Sequence, residues 1–220
     1  WQFGLRGRGD RPVWYHDKNV SPSMEDRGKL ISSAIMKQKE VVEKVLGHKD
    51  FYSTTTLWME GSDLHNDGYL AFPKDTMVIF ADHGPSQMFS DDFYNVRRHS
   101  SNQYGVYYHV AFWGDGPHLV QGTSLEKIYF NYRNAVEKGD TVYSILNVTN
   151  IREVAFGVKA VADVTWDFAS FKKDTFMDQW SRSQYGASQH DKIVAAYKKL
   201  YQAYSILDDK RTPDHMVFLD

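Results

Sequence analysis

The chain alternates short apolar runs with longer stretches of helical periodicity. Five runs are rich in β-branched and aromatic residues, which is typical of strands. They lie at residues 1–7, 52–58, 76–82, 105–112 and 141–148. Between the first two, apolar residues recur at helical spacing from Leu30 to Leu46, after Ser21 and Pro22 and before Gly47. Ser and Pro favour the first turn of a helix and Gly favours its end, so this segment predicts a crossover helix.

The later segments carry further helical patterns. A helix is predicted from Thr123 to Gly139, with Glu126 completing a capping box. Residues 58–76 and 82–105 are weaker helical candidates, 170–186 are aromatic-rich and less regular, and 188–207 predict an amphipathic helix. Strands that alternate with helices imply parallel strands joined by crossovers, so the predicted fold class is α/β.

Polar residues at the strand ends distinguish a barrel from a doubly wound sheet. A (β/α)8 barrel carries its chemistry at the carboxyl ends of several strands, whereas a doubly wound sheet concentrates it at one switch point, usually with a glycine-rich phosphate loop. The sequence has no such loop, and each predicted strand ends in polar groups: Arg6 and Asp10, Glu60, Asp82 and His83, His109, and Asn147 and Asn150. We therefore predict part of a TIM (β/α)8 barrel, with about five β/α units.

Five strands cannot close a barrel that needs eight. We expect the other three strands to lie upstream or to come from other chains, and we expect the isolated segment to be inactive. The predicted domain boundary is near residue 170. Residues 1–170 would then be the C-terminal portion of a catalytic barrel, and residues 171–220 the start of an α-helical domain.

Composition narrows the range of partners. The formal net charge is −2 and no run of like charge occurs, so the sequence does not predict a phosphate-binding surface or a nucleic-acid partner. No apolar stretch approaches the roughly 20 residues that span a bilayer, so no membrane partner is expected. The absence of Cys excludes disulfides, thiolate nucleophiles and cysteine-ligated zinc in this segment.

Five short motifs lie at the ends of the predicted strands. They are GLRGRGD at 4–10, WME at 58–60, FADHG at 80–84, GVYYHVAFWG at 105–114 and NVTN at 147–150. In order and spacing they resemble motifs close to GMRGxHD, YKE, WxDDNYG, GVYYHxSYWG and NVGD of glycoside hydrolase family 115, the xylan α-1,2-glucuronidases. RTPD at 211–214 resembles the RKPE that opens the family's helical domain. The likeness covers almost the whole chain.

The resemblance implies roles for individual residues. Glu60 matches the Glu of YKE, which is implicated in the family as the general acid. His109 matches the active-site His of the YYH motif, and Arg6 and Asp10 match the Arg and Asp of the first motif. Four positions depart from the family pattern, namely Gly9, His83, Phe112 and Asn150. These departures bear on the substrate more than on the type of reaction.

Glu60 and Asp10 are the candidate catalytic pair. Glycoside hydrolysis needs one protonated carboxyl and one carboxylate, about 6.5–9.5 Å apart in an inverting enzyme. The ends of neighbouring barrel strands lie within about 10 Å of one another, which suits that separation. The resemblance also implies inversion. Two alternatives stay open: both residues are solvated loop carboxylates, or a carboxylate from the missing strands is the base.

Arg6 is the candidate ligand for a uronate carboxylate, because a guanidinium can donate two parallel N–H bonds. An ion pair with Asp10 is the alternative role, and the two are compatible. The other predicted substrate-binding residues are Asp82, His83, Tyr108, His109, Trp113, Asn147 and Asn150. Tyr107 and Tyr108 alternate along one strand, and we expect the Tyr107 side to be core. Carboxylate and imidazole groups at these strand ends admit a metal, but no paired ligand motif is present, so we expect neither metal nor cofactor.

The leading functional hypothesis is an inverting glycosidase that removes glucuronic or 4-O-methylglucuronic acid side chains from xylan or a related polysaccharide. A non-catalytic carbohydrate-binding barrel and a metal-dependent barrel hydrolase are the alternatives. The resemblance implies a secreted or periplasmic protein whose partner is a polysaccharide or oligosaccharide bearing uronic acid. A homodimer is a further expectation.

Overall fold

The computed structural model describes residues 1–83, 86–111, 123–148 and 151–202. Within them lie the strands β1 (Gln2–Phe3), β2 (Ser53–Leu57), β3 (Thr76–His83), β4 (Met88–Phe89), β5 (Gln103–His109) and β6 (Ser144–Asn147). Each of the five predicted runs therefore contains a strand. The first run contributes only two residues, and the chain then turns back on itself where the Gly7 N–H donates to the Arg11 carbonyl at 2.6 Å.

The strands form one sheet in the order β1-β2-β3-β5-β6, with the short β4 paired to β3. The pairs β1–β2, β2–β3 and β3–β5 are parallel, with registers that include Gln2↔Thr54, Ser53↔Thr76 and Met77↔Gln103. Apart from β4, spatial order follows chain order without a reversal. A barrel has this order, whereas a doubly wound sheet reverses at its switch point. The α/β class is confirmed, and the assignment to part of a TIM (β/α)8 barrel stays a prediction.

The described residues also form helices. They are α1 (Met24–Leu46), α2 (Glu60–Asn66), α3 (Asp91–Asn95), α4 (Leu125–Lys138), α5 (Ala155–Trp166), α6 (Lys173–Tyr185) and α7 (His190–Gln202), with a 3-10 turn at Val13–Tyr15. The predicted crossover helix is confirmed as α1. It begins slightly later than expected, because Ser23 is the N-cap and its side chain accepts a hydrogen bond from the Asp26 N–H. It ends at Gly47, whose φ of 74° a glycine adopts without steric cost.

The predicted capping box of α4 is wrong by one residue. Ser124 is the N-cap, and its hydroxyl accepts a hydrogen bond from the Lys127 N–H at 3.2 Å. Glu126 is therefore not in the reciprocal position. Thr123 instead donates its hydroxyl to the Val110 carbonyl at 3.1 Å. Thr and Ser are both good caps, so the sequence alone did not distinguish them.

The last helices differ most from expectation. The sequence pattern did not predict α5, and α6 is a regular helix where we expected irregular structure. The amphipathic helix predicted within 188–207 is confirmed as α7. Rings from all three helices cluster around Phe156, which lies 5.0 Å from Trp180, 5.4 Å from Phe176 and 5.4 Å from Tyr197. Aromatic packing thus stabilises these helices.

The chain divides into two compact units. Unit 1 comprises residues 1–81, 89–107 and 140–144, and unit 2 comprises residues 82–88, 108–139 and 145–220. The predicted boundary near residue 170 stays a prediction. In unit 1, Phe3, Ile31, Ile35 and Leu64 form a buried cluster between β1, α1 and α2. This cluster is the support for the residues that follow β1 and β2.

Gly105 in β5 shows why a strand interior carries a glycine. A Cβ at this position would lie 2.2 Å from the Tyr143 carbonyl oxygen. The neighbouring backbone needs that space, because the Val106 N–H donates to the same carbonyl at 2.9 Å and the Val142 N–H donates to the Tyr104 carbonyl at 3.1 Å. A glycine here permits close approach of two strands.

The two tyrosines of β5 lie the opposite way from our expectation. Tyr108 is fully buried and packs edge-on against Tyr132 of α4 at 5.7 Å. Tyr107 is half-buried, and its ring lies 5.9 Å from Trp58. The core side of β5 is therefore the Tyr108 side.

Among the described residues, no helix combines the length and the apolar character that crossing a membrane requires.

Candidate active site

Glu60 lies at a sharp turn after β2. The Gly61 N–H donates to the Trp58 carbonyl at 2.9 Å, which closes a four-residue turn. Within it Met59 has φ 46° and ψ −110°, close to the second position of a type II′ turn and normally occupied by glycine. A non-glycine residue in such a conformation costs on the order of 1–3 kcal/mol. Glu60 then opens α2, so the backbone turns between the strand and the candidate acid.

Arg6 joins both predicted catalytic carboxylates. Its Nη2 donates to Oε2 of Glu60 at 3.2 Å, and its Nε lies 3.1 Å from Oε1 without the alignment of a hydrogen bond. Its Nη1 lies 2.9 Å from Oδ1 of Asp10, and Nη2 also donates to the Asp10 carbonyl at 2.7 Å. Because β1 and β2 are parallel neighbours, the residues after their carboxyl ends meet at one edge of the sheet. The three side chains form what we call the Arg6 cluster.

The members of the Arg6 cluster differ in exposure. The side chain of Glu60 is 11% exposed, that of Arg6 25% and that of Asp10 77%. Arg6 and Glu60 line a cleft of about 360 Å³ together with Trp58, Leu5 and Phe3. This volume falls within the range of small-molecule pockets, roughly 300–1,000 Å³. The cleft combines an apolar wall with one cation and one carboxyl group, as a site for a charged sugar would.

Burial raises the pKa of Glu60 above its usual range. The N–H at its own position and the Arg6 guanidinium act in the opposite direction, while the negative charges of Asp10 and Asp63 add to the increase. The net direction favours the protonated carboxyl. A general acid needs that form near its working pH. Of the predicted catalytic residues, Glu60 therefore has the environment of a proton donor.

The far end of α2 is fixed by a buried contact between a histidine and an aspartate. His65 Nδ1 lies 3.0 Å from Oδ2 of Asp92 in α3, and the Asp92 side chain is fully buried. The same carboxylate accepts the Phe93 N–H at 2.9 Å. Burial raises the pKa of Asp92, and the His65 partner opposes that increase. A seven-residue helix has little stability of its own, so this pair helps hold the element that carries Glu60.

In unit 2, Asp82 and His109 form a second buried pair. Nδ1 of His109 lies 2.5 Å from Oδ1 of Asp82, and the backbone N–H of His109 donates to Oδ2 at 2.9 Å. Burial raises the pKa of Asp82, and its bonds to His109 partly offset the increase. Asp82 is therefore hydrogen-bonded to His109 and is not exposed at the surface. This arrangement orients an imidazole through a carboxylate.

Gln87 supports this pair and was not among the predicted site residues. Gln87 is buried with φ 54°, and its Nε2 donates to the His109 carbonyl at 3.0 Å and to the Thr123 hydroxyl. Its own carbonyl accepts a hydrogen bond from Nδ2 of Asn131 at 2.9 Å. Gln87 lies in the weak helical candidate 82–105, where a single Gln carries no signal of a functional role.

Three of the other predicted substrate-binding residues lie in β3, β5 and β6. His83 is the exposed last residue of β3, and its carbonyl accepts the Gln87 N–H at 2.8 Å. Asn147 is the half-buried last residue of β6, and its carbonyl accepts the Val110 N–H at 3.1 Å. Tyr108 has the burial and packing of a core residue. Trp113 and Asn150 lie outside the described residues.

A metal site was an alternative for the strand-end residues Asp82, His83 and His109. In the described part of the chain, the one group with three ligand atoms within 4.8 Å of one another is Asp178, His190 and Asp191. There, Nε2 of His190 lies 3.0 Å from Asp191 and 3.4 Å from Asp178. This group belongs to α6 and α7 and contains none of the predicted site residues.

Comparison with known proteins identifies the family. The search of curated proteins gave no match. The model of the family described as Glycosyl hydrolase family 115 matches residues 1–215. That span contains every predicted site residue, including the Arg6 cluster and the Asp82–His109 pair. The chain therefore belongs to glycosyl hydrolase family 115 and is a glycoside hydrolase.

Proposed function

We propose that this glycosidase removes glucuronic or 4-O-methylglucuronic acid side chains from xylan or a related polysaccharide by an inverting mechanism. Glu60 is the general acid in this proposal. The observation that carries it is the state of the Glu60 carboxyl, which is 11% exposed at a strand end, lines a cleft and has a pKa raised by burial. A carboxyl in that state protonates the leaving oxygen of a glycoside.

The class of substrate is argued from Arg6. An Arg whose guanidinium lines the cleft is suited to a planar carboxylate, which accepts two parallel N–H bonds from it. Trp58 in the same cleft offers an aromatic wall for a sugar ring. The departures from the family pattern at His83, Phe112 and Asn150 favour keeping polysaccharides other than xylan in the proposal.

Asp10 is the candidate base. It is exposed to solvent, so water can reach it, and Arg6 holds it beside Glu60. An inverting enzyme places its base where it can activate a water on the opposite face of the sugar. A polymeric substrate also favours a secreted or periplasmic location, which we propose on that ground.

Substrates with different leaving groups test the role of Glu60. A sugar hydroxyl is a poor leaving group and needs a proton, whereas a nitrophenolate does not, and general acid catalysis contributes about 10²–10⁴-fold. In the active enzyme, Glu60→Gln should lose most activity on glucuronoxylan and retain much more on a nitrophenyl uronoside. Asp10→Asn should lose activity on both, because water must be activated whichever group departs. Equal losses for Glu60→Gln on the two substrates would remove Glu60 from the role of acid.

A further inference from the structure

We propose that Arg6 exchanges partners when a sugar acid binds. The sugar carboxylate takes the place of Glu60 on the guanidinium, and Glu60 takes up one proton from solvent and becomes the acid. This inference rests on the proposed function and adds to it a coupling between recognition of the uronate and protonation of the catalytic group.

The contact between Arg6 and Glu60 opposes the role proposed for Glu60. Glu60 contacts Arg6 through both carboxylate oxygens, at 3.1 and 3.2 Å. Arg stays protonated in proteins, so this pairing favours the ionised form of Glu60. An ionised carboxylate cannot donate a proton to a leaving group. Arg6 therefore opposes the acid role of Glu60 for as long as it holds that carboxylate.

Asp10 makes such an exchange geometrically feasible. Arg6 is bound to Asp10 through Nη1, at 2.9 Å from Oδ1, and through Nη2, at 2.7 Å from the backbone carbonyl. Both contacts persist if Glu60 is released, so the guanidinium keeps its place. The edge of Arg6 that would become free, Nε with Nη2, is the one that now meets Glu60. A second planar carboxylate can bind that edge in the same way.

The surroundings of Glu60 favour protonation once Arg6 is shared with the sugar. Burial already raises the pKa of Glu60, and the charged groups that act on it are Arg6, Asp10 and Asp63. Removing the effect of the cation leaves burial and two negative charges, which favour the neutral carboxyl, against the N–H at the position of Glu60, which alone still favours the ionised form. A bound sugar carboxylate adds a third negative charge nearby. A neutral sugar supplies no carboxylate and leaves Glu60 on Arg6.

Proton uptake on binding tests the exchange directly. Glucuronate is titrated into the active enzyme by calorimetry in buffers of different ionisation enthalpy. The pH is chosen above the value at which kcat/KM falls as Glu60 of the free enzyme loses its proton. We expect net uptake approaching one proton per glucuronate, and no uptake with glucose. Glu60→Gln should bind glucuronate without uptake, whereas Asp67→Asn, which removes an exposed carboxylate at the end of the same helix, should retain it.

Kinetics provides a second measurement. The pH profile of kcat/KM reports the free enzyme and that of kcat reports the complex. The limb assigned to Glu60 should therefore lie at higher pH in kcat than in kcat/KM for uronosides. If uronosides are hydrolysed and glucuronate binds with no proton uptake, Arg6 keeps Glu60 and the exchange is wrong while the proposed function stands. If the enzyme neither binds glucuronate nor hydrolyses uronosides, the proposed function is wrong as well.

Discussion

Asp82 accepts two hydrogen bonds from a single residue, His109: one from its backbone N–H at 2.9 Å and one from its ring at 2.5 Å. The backbone N–H can only donate, so it fixes which carboxylate oxygen faces it. The other oxygen then faces Nδ1, and because an ionised carboxylate can only accept, Nδ1 carries the proton when Asp82 is ionised. The pair therefore sets both the position and the tautomer of the imidazole.

Replacing Asp82 by Asn should change that tautomer. The backbone N–H of His109 requires the amide oxygen, so the amide NH2 faces Nδ1, which must then accept. We expect His109 to move its proton to Nε2, visible in the ¹⁵N chemical shifts of its ring, with a loss of about 1–3 kcal/mol in the free energy of unfolding. Asp163→Asn, in an exposed pair with Lys159, is the control and should change stability by less than about 1 kcal/mol. An unchanged His109 spectrum would contradict this role of Asp82.

The pH dependence of activity should report Glu60. The donor is active when protonated, and burial raises its pKa, so activity should be retained above the usual range of a Glu and fall as the pH rises through the raised value. The negative charge of Asp63 contributes to that increase. Asp63→Asn should therefore move the limb to lower pH, as measured by kcat/KM profiles on glucuronoxylan.

Asp67→Asn is the matched control, because it removes a carboxylate at the end of the same helix that is not among the main causes of the raised pKa of Glu60. Its profile should coincide with that of the unmodified enzyme. A limb that persists in Glu60→Gln would show that another group titrates there.

We expect the protein to be more stable with glycine in place of Met59. Its side chain is 57% exposed, so little packing is lost, while the positive φ of 46° costs on the order of 1–3 kcal/mol in a non-glycine residue. Glycine offsets part of the gain through about 0.5–1 kcal/mol of extra chain entropy. We expect Met59→Gly to raise the free energy of unfolding by about 0.5–2 kcal/mol in denaturant titrations. Met59→Ala keeps the Cβ and should show no gain, and a less stable glycine variant would contradict the strain.

Arg98 and Asp140 form a buried pair whose separation should be costly. Arg98 donates to both oxygens of Asp140, which is fully buried, and its guanidinium lies 4.0 Å from the centre of the Phe80 ring. Asp140→Asn leaves a largely buried cation, 17% exposed, without its counter-charge, and we expect a loss of about 3–5 kcal/mol in unfolding free energy. Glu137→Gln makes the same change in an exposed pair with Arg133 and should cost under about 0.5 kcal/mol. Equal losses in the two variants would show that burial does not set the value of the pair.

Local patterns in the sequence determined much of the fold. The alternation of β-branched runs with helical periodicity predicted β2, β3, β5 and α1 near their observed bounds, and the parallel pairing followed from it. These features depend on contacts between residues a few positions apart, or on burial of one face, which a sequence displays directly. The aromatic-rich segment that forms α6 lacked that periodicity, so its sequence did not predict a regular helix. Ring contacts with a neighbouring helix stabilise α6.

The residue types at the strand ends were also visible in the sequence, which placed Arg6 and Glu60 after neighbouring strands. Only the tertiary structure decided that Arg6 binds Glu60 across 54 positions of the chain as well as Asp10 four positions away. It also decided that Asp82 is hydrogen-bonded to His109 and that Tyr108, rather than Tyr107, packs in the core. Such partners depend on strand register and on the direction of each Cβ, and a shift of one residue would reverse which side chains meet. The sequence therefore determines which groups are present at the site, and long-range packing determines which of these groups bind one another.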